Sequence, residues 1–219
     1  MHALSRTLLA VALALVSENA FARGDKNGWF QFSVDGGATW LARAPSLDLG
    51  SDSGTSFNVL RGATIPVRDV SWLGGGSLDI RAGSKRESWF LPLFGARLAG
   101  ADFHVQIASG QNVTTTLDQL MYSEMFLPGI GWRFGDTLSL SARPVYVRLD
   151  TSGSATDGHV TTDVSAGTDG FGVLGDVQLC VGDVFHACAF AAPTVMWMSG
   201  PDFALTFGVR FTLSPSLTP

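Results

Sequence analysis

Lysine and glutamate are almost missing from this 219-residue chain: Lys26 and Lys85, with Glu18, Glu87 and Glu124, are the full set. Charged residues make up 15% of the sequence, against roughly 25% in ordinary soluble domains. Soluble proteins draw much of their water-facing surface from those two residue types, so something other than water covers part of this one. Also missing is any apolar run that approaches the ~20 residues of a membrane-crossing helix. If the mature chain enters a membrane, it must do so as strands. There is no basic tract, and the formal net charge of −5 argues against nucleic acid as a partner. No D-x-D-x-D-G spacing marks a calcium loop, and neither a metal nor a cofactor is expected.

What is present begins with an export signature. Arg6 and His2 precede an apolar run from Leu8 to Val16, and Ala20-Phe21-Ala22 supplies small residues at −3 and −1. This pattern describes a secretory signal peptide, residues 1–22, cleaved after Ala22. The remainder suits one domain, read as 23–213, with a short tail at 214–219.

Period-2 alternation recurs along that domain, with turn signals between segments. It is clearest from Asp202 to Leu213: Phe203, Leu205, Phe207, Val209, Phe211 and Leu213 share one face, with Thr206, Arg210 and Thr212 on the other. Twelve such residues are close to the ~9–11 that a tilted strand needs to cross a bilayer. Further segments are Phe171–Val181, Val184–Met198, Met125–Phe134, Thr137–Leu149 and Phe103–Ser109, and weaker ones are 29–44, 57–67, 72–82 and 89–98. In the Met125 segment, Phe126, Ile130, Trp132 and Phe134 are expected outward. The expectation is therefore all-β: a closed up-and-down antiparallel transmembrane β-barrel of about ten strands, within eight to twelve. Val113–Glu124 reads instead as a short helix in a long loop, because Leu117, Leu120 and Met121 would share a helical face and Thr115 with Asp118 resembles a capping box.

Connection lengths and charges agree with a barrel. With a periplasmic C-terminus, the long connections 45–56, 110–124 and 150–170 fall outside, as does 83–88, while 68–71, 99–102, 135–136 and 182–183 are short periplasmic turns. Arginine at the lipid midplane costs ~2–4 kcal/mol, so arginines belong in the lumen. The expected lumen network is Arg43, Asp79, Arg81, Arg97, His104, Arg133, Arg143, Asp176, His186 and Arg210, while Arg61 and Arg148 break the pattern. Trp72 and Trp132 are expected at the periplasmic rim and Trp197 at the opposite one.

Thr206 to Leu213 resembles the β-signal of bacterial outer-membrane proteins, which implies recognition by the barrel-assembly machinery through Gly208, Phe211 and Leu213. Leu213 stands where that pattern has a terminal aromatic. The resemblance implies outer-membrane localisation and contact with outer-membrane lipid, and leaves oligomeric state open. Separately, Ser33-Val34-Asp35-Gly36-Gly37-Ala38-Thr39-Trp40 resembles an Asp-box. One copy without a blade-length repeat argues against a propeller and for a turn or bulge near the first strand.

No catalytic set stands out. His159 lies near Ser154, Asp157 and Asp163, the ingredients of a lipid-modifying hydrolase or acyltransferase, within a segment whose composition equally gives a solvated loop. Non-enzymatic roles (structural, small-pore or surface-interaction) fit better, and a soluble secreted β-sandwich or lectin-like module is the remaining alternative. Cys180 and Cys188 flank a turn in an oxidising compartment. A loop centred on Val184 would set them opposite each other and permit a disulfide, whereas a shifted register would separate them by ~7–8 Å.

Overall fold

A computed structural model describes residues 28–42, 47–48, 64–65, 72–84, 87–109, 113–135, 137–182, 185–198 and 202–213. Its strands are β1 (Gly28–Ala42), β2 (Leu47–Asp48), β3 (Thr64–Ile65), β4 (Trp72–Ser84), β5 (Trp89–Ser109) and β6 (Val113–Phe126). They continue with β7 (Ile130–Phe134), β8 (Leu138–Thr156), β9 (Thr161–Val181), β10 (Phe185–Trp197) and β11 (Phe203–Leu213). Antiparallel pairing runs β4–β1–β11–β10–β9–β8–β6–β5, and β5 pairs back to β4, which closes the sheet. β7 continues the line of β6 and pairs with the same two neighbours, β5 and β8. The two are parts of one stave, and the barrel has eight staves. β2 and β3 form a separate ribbon. The fold is one closed barrel, not two packed sheets.

Eight staves replace the expected ten for identifiable reasons. Segments 89–98 and 103–109 are one strand, β5, whose register shifts between Asp102 and Val105, so 99–102 is no turn. The expected helix at Val113–Glu124 is β6. A bulge between Leu117 and Gln119 turns a spacing of three, Leu117 to Leu120, into a same-face pair, and that spacing mimics a helix. The expected loop 150–170 is mostly the hairpin of β8 and β9, paired as far as Thr156 and Thr161. Of segment 57–67 only Thr64–Ile65 is described, and the proposed signal peptide and the tail lie outside the described residues. The Asp-box-like stretch is neither turn nor bulge but continuous strand, paired without a break to both β4 and β11.

The stave β6–β7 is interrupted at Leu127-Pro128-Gly129, where prolines of neighbouring strands meet it. Leu127 N–H donates to the Pro144 carbonyl and Gly129 N–H to that of Pro92, both at 3.0 Å. The break changes which face the even-numbered residues occupy. Phe126 is fully buried in the lumen, against expectation, whereas Ile130, Trp132 and Phe134 point outward. The strand ends Ser84 and Trp89, Phe134 and Leu138, and Val181 and Phe185 share one end of the barrel, so β4 and β5 are joined at the short-turn end and not, as expected for 83–88, at the long-loop end.

Outward positions form an apolar belt that includes Val34, Leu78, Leu98, Val177, Phe207 and Val209, all well exposed. Trp132 pairs in register with Trp89 at the short-turn end. Trp72 lies at the other end, opposite Trp40 in register, alongside Trp197 and not with Trp132; the extra strands in the expected count had inverted it. Inside, Leu73, Leu120, Val147, Leu149, Ala192 and Met196 fill the long-loop half of the lumen. An eight-stranded barrel is just wide enough for side chains to do this.

Closure on the β1–β11 side depends on close backbone approach. Gly37 and Gly208 are register partners. A Cβ on Gly37 would meet the Phe207 carbonyl oxygen, and one on Gly208 that of Gly36. Replacing Gly208 by Val should therefore block closure. On unheated gels the variant should run at the unfolded position while the parent runs as a compact band; a compact variant band would contradict this packing.

Candidate functional site

Alternation aims a set of six charged side chains from five staves at one level of the lumen. Asp35 comes from β1, Asp79 and Arg81 from β4, Arg143 from β8, Asp176 from β9 and Arg210 from β11, and each is at most 6% exposed. Arg143 grips Asp79 through two parallel bonds, Nη1 to Oδ1 at 2.6 Å and Nη2 to Oδ2 at 3.0 Å. Arg81 bridges Asp79 (Nε to Oδ2, 2.9 Å) and Asp176 (Nη2 to Oδ2, 2.6 Å). Arg210 joins Asp176 through Nη1 at 2.7 Å and Asp35 through Nη2 at 3.0 Å. Ser77 donates to the same Asp35 oxygen, and Gln178 accepts from Arg210 at 2.9 Å.

A second group joins β5, β6 and β10 at the next level. Arg97 and Glu124 are direct register partners on β5 and β6, joined Nη1 to Oε2 at 2.5 Å. Tyr122 and Thr194 each donate to the other Glu124 oxygen at 2.6 Å. Phenylalanine rings stack between the guanidinium groups. Arg143 lies 4.1 Å from the Phe126 centroid and Arg210 4.5 Å from that of Phe190, while Arg97 touches both rings from farther away. Such contacts strengthen when water is excluded.

Four arginines, Arg81, Arg97, Arg143 and Arg210, thus face four carboxylates, Asp35, Asp79, Glu124 and Asp176, in these two groups. Each charge is expensive to bury alone, since losing one partner of a buried pair costs about 3–5 kcal/mol. Among the described residues, the balance makes this part of the lumen a neutral, bonded plug.

Six of the ten sequence-derived lumen residues, Asp79, Arg81, Arg97, Arg143, Asp176 and Arg210, lie in this network. Arg133 lies instead at the short-turn mouth, where it stacks on Trp29 at 4.7 Å and donates to the Glu87 carbonyl at 3.3 Å. His186 is half-buried on β10, outside both groups. Arg43 and the side chain of His104 lie outside the described residues, as does Arg61. Arg148 is outward and exposed, paired with Asp150 at 2.7 Å. Sequence reasoning missed Asp35, which the Asp-box likeness assigned to a turn, and Glu124, which the helix reading placed in a loop. The usable signal for Glu124 was its alternation with Leu120, Tyr122 and Phe126.

Cys180 and Cys188 are register partners across the Gly182 turn and form a disulfide. Gly208 packs inside against β1, while Phe211 and Leu213 are outward on β11. At the tip of the β8–β9 hairpin, Asp157 Oδ1 accepts from the backbone N–H of His159 and Val160, both at 2.8 Å. Those bonds, Val160's foremost, hold its carboxyl below the usual aspartate range. Ser154 and Asp163 are register partners down the ladder, and among the described residues no hydrogen bond engages the His159 ring.

The network makes a directional prediction. Glu124→Leu alone strands Arg97, Tyr122 and Thr194 and should cost about 3–5 kcal/mol in urea unfolding of the lipid-reconstituted barrel. Adding Arg97→Met should recover most of that loss. A double variant as unstable as the sum of the two singles would contradict the pairing.

No protein-family model matches the chain, and no curated protein matches it. Among solved structures it is similar to Ail, the attachment invasion locus protein of Yersinia pestis, in complex with the heparin analogue sucrose octasulfate. That match has a TM-score of 0.52 at 10% identity, over 86% of this chain and 99% of that one. A second Ail structure gives 0.47 at 12% identity, over 86% and 99%. Neisserial surface protein A gives 0.33 at 9%, over 85% and 96%. The first likeness is one of fold: the chain folds as the closed antiparallel β-barrel found in bacterial outer-membrane proteins.

Proposed function

We propose that this chain is a non-enzymatic outer-membrane surface protein, exported by residues 1–22, anchored by its belt, sealed through its lumen, and active through the hairpins it raises outside. The observation that carries this reading is the inversion of the barrel: an apolar exterior between aromatic rims, around an interior of paired charges. On β9 the outward apolar residues run from Phe171 to Val181, and on β11 from Phe203 to Leu213. Those lengths match the ~9–11 residues of a tilted membrane strand. The Tyr146–Phe171 ring pair, with centroids 5.5 Å apart, and Trp72 stand toward the long-loop rim, and Trp89 and Trp132 at the other, where interfacial aromatics belong. Assembly would use β11, with Gly208, Phe211 and Leu213 read by the barrel-assembly machinery.

Of the non-enzymatic roles, a pore is disfavoured by the plug. A surface role is favoured by the two hairpins, β5–β6 and β8–β9, which climb past the belt. From the Arg148–Asp169 row to the Thr156–Thr161 row, the β8–β9 ladder extends by roughly 27 Å along the strands. The ligand named for the similar Ail structure, a sulfated heparin analogue, does not carry over on charge grounds. Among the described residues, Asp102, Asp118, Asp150, Asp157, Asp163, Asp169 and Asp202 occupy this end, with Arg148 as their cationic companion.

Expressed in a Gram-negative host, the mature protein should fractionate with the outer membrane, shift mobility on heating, and leave planar bilayers non-conducting. A water-soluble monomer would overturn the membrane reading. Steady single-channel steps would overturn the sealed lumen.

A further inference from the structure

Above the belt, the exterior wall made by β6, β8 and β9 carries a trough of about 510 Å³. Its origin is local. The bulge after Leu117 turns two consecutive side chains, Asp118 and Gln119, outward. Across from them β8 presents only Ser152, Gly153 and Ser154, and β9 then raises Asp163 and Ser165 on the far side. Long polar groups therefore flank a floor of small ones.

The side chains that line the trough are two carboxylates, three hydroxyls and one amide. Hydroxyl and amide groups both donate and accept, while carboxylates accept only. This set matches a ligand whose every carbon carries a hydroxyl. The volume lies within the ~300–1,000 Å³ of small-molecule sites. A peptide strand has nothing to add to here, because β8 is already paired on both sides, to β6 and to β9. An acyl chain finds no apolar side chain to lie on, since Val164 is buried inward. An anionic sugar finds no free cation on this wall among the described residues: Arg148, the nearest along β8, has Nε and Nη2 held by Asp150 at 2.7 and 2.8 Å.

We propose that this trough is a binding site for a short saccharide, neutral or amino-substituted, held by Asp118, Gln119, Ser152, Ser154, Asp163 and Ser165. An amino group gains over a hydroxyl because Asp163 supplies negative charge and, among the described residues that line the trough, no cation faces it. The site itself is independent of membrane insertion. Only the identity of the natural source, a glycolipid of the surrounding leaflet or a free glycan, rests on the reading given above.

The test uses the folded mature protein in a detergent without a sugar headgroup, with saturation-transfer NMR as the readout. The probes are a glucose oligomer, a glucosamine oligomer and a sulfated glucose oligomer. The first two should bind, the glucosamine oligomer more tightly, and the sulfated one should not. Ser152→Trp, an exposed position whose indole would fill the trough, should abolish binding while leaving the heat-modifiable band intact. Asp163→Asn, which keeps the shape, should weaken the glucosamine oligomer by roughly tenfold and the glucose oligomer less. Failure of both unsulfated probes to bind, binding untouched by Ser152→Trp, or preference for the sulfated oligomer would each overturn the proposal. A protein that binds these sugars yet stays out of lipid would sink the membrane reading and leave the trough standing. Competition by intact glycolipid vesicles, compared with the free oligomer, separates the two sources.

Discussion

A charge buried inside a closed barrel cannot reach water, and the structure is organised around satisfying that constraint. Asp79, Asp176 and Asp35 are each shared or gripped by arginines from other staves, so the charged level ties β1, β4, β8, β9 and β11 together across the lumen. This is a stronger link between distant staves than their ladder bonds, which join only neighbours. It also sets orientation. A one-residue slip of any of these strands would carry its charge to the apolar exterior and a belt residue to the lumen, so the pairs select the register as well as stabilise it.

The same constraint explains why the composition is so poor in lysine and glutamate. With the exterior given to apolar side chains and the interior only wide enough for one layer, charge survives in three places: the plug, the mouths and the raised hairpins. Arginine suits the first because its planar fork grips a carboxylate with two bonds and lies flat on a ring, as Arg143 does between Asp79 and Phe126. Aspartate suits the last, where Asp163 and Asp169 alternate with small polar residues along β9. The acidic, hydroxyl-rich wall above the belt is thus chemically unlike both the plug and the belt.

Much of this was legible in the sequence because strand periodicity is simple where nothing interrupts it. On β11, alternation alone separates Arg210 from Phe211 and assigns each its face. It fails where the backbone departs from period two. The bulge at Leu117–Gln119 made a strand look helical and hid Glu124, and the proline-lined break at 127–129 put Phe126 on the wrong face. Hairpin length was misjudged for a different reason: above the belt both faces of β8 and β9 lose their apolar contrast, so Ser152 to Thr156 reads as loop although it is fully paired. The Asp-box likeness misled because Gly37 serves close strand approach against Gly208 there, not a turn.

The central claim is that this barrel wears its apolar face outward, into lipid, around a charged interior. Depth-dependent quenching by brominated lipids tests it most directly, using single-tryptophan variants that retain Trp132 or Trp197, or that carry tryptophan at Phe207. Quenching of Trp132 and Trp197 should be greatest with bromines near the headgroups, and of the Phe207→Trp reporter with bromines deep in the chains. Equal, weak quenching at all three positions would place the belt outside the bilayer and contradict the account.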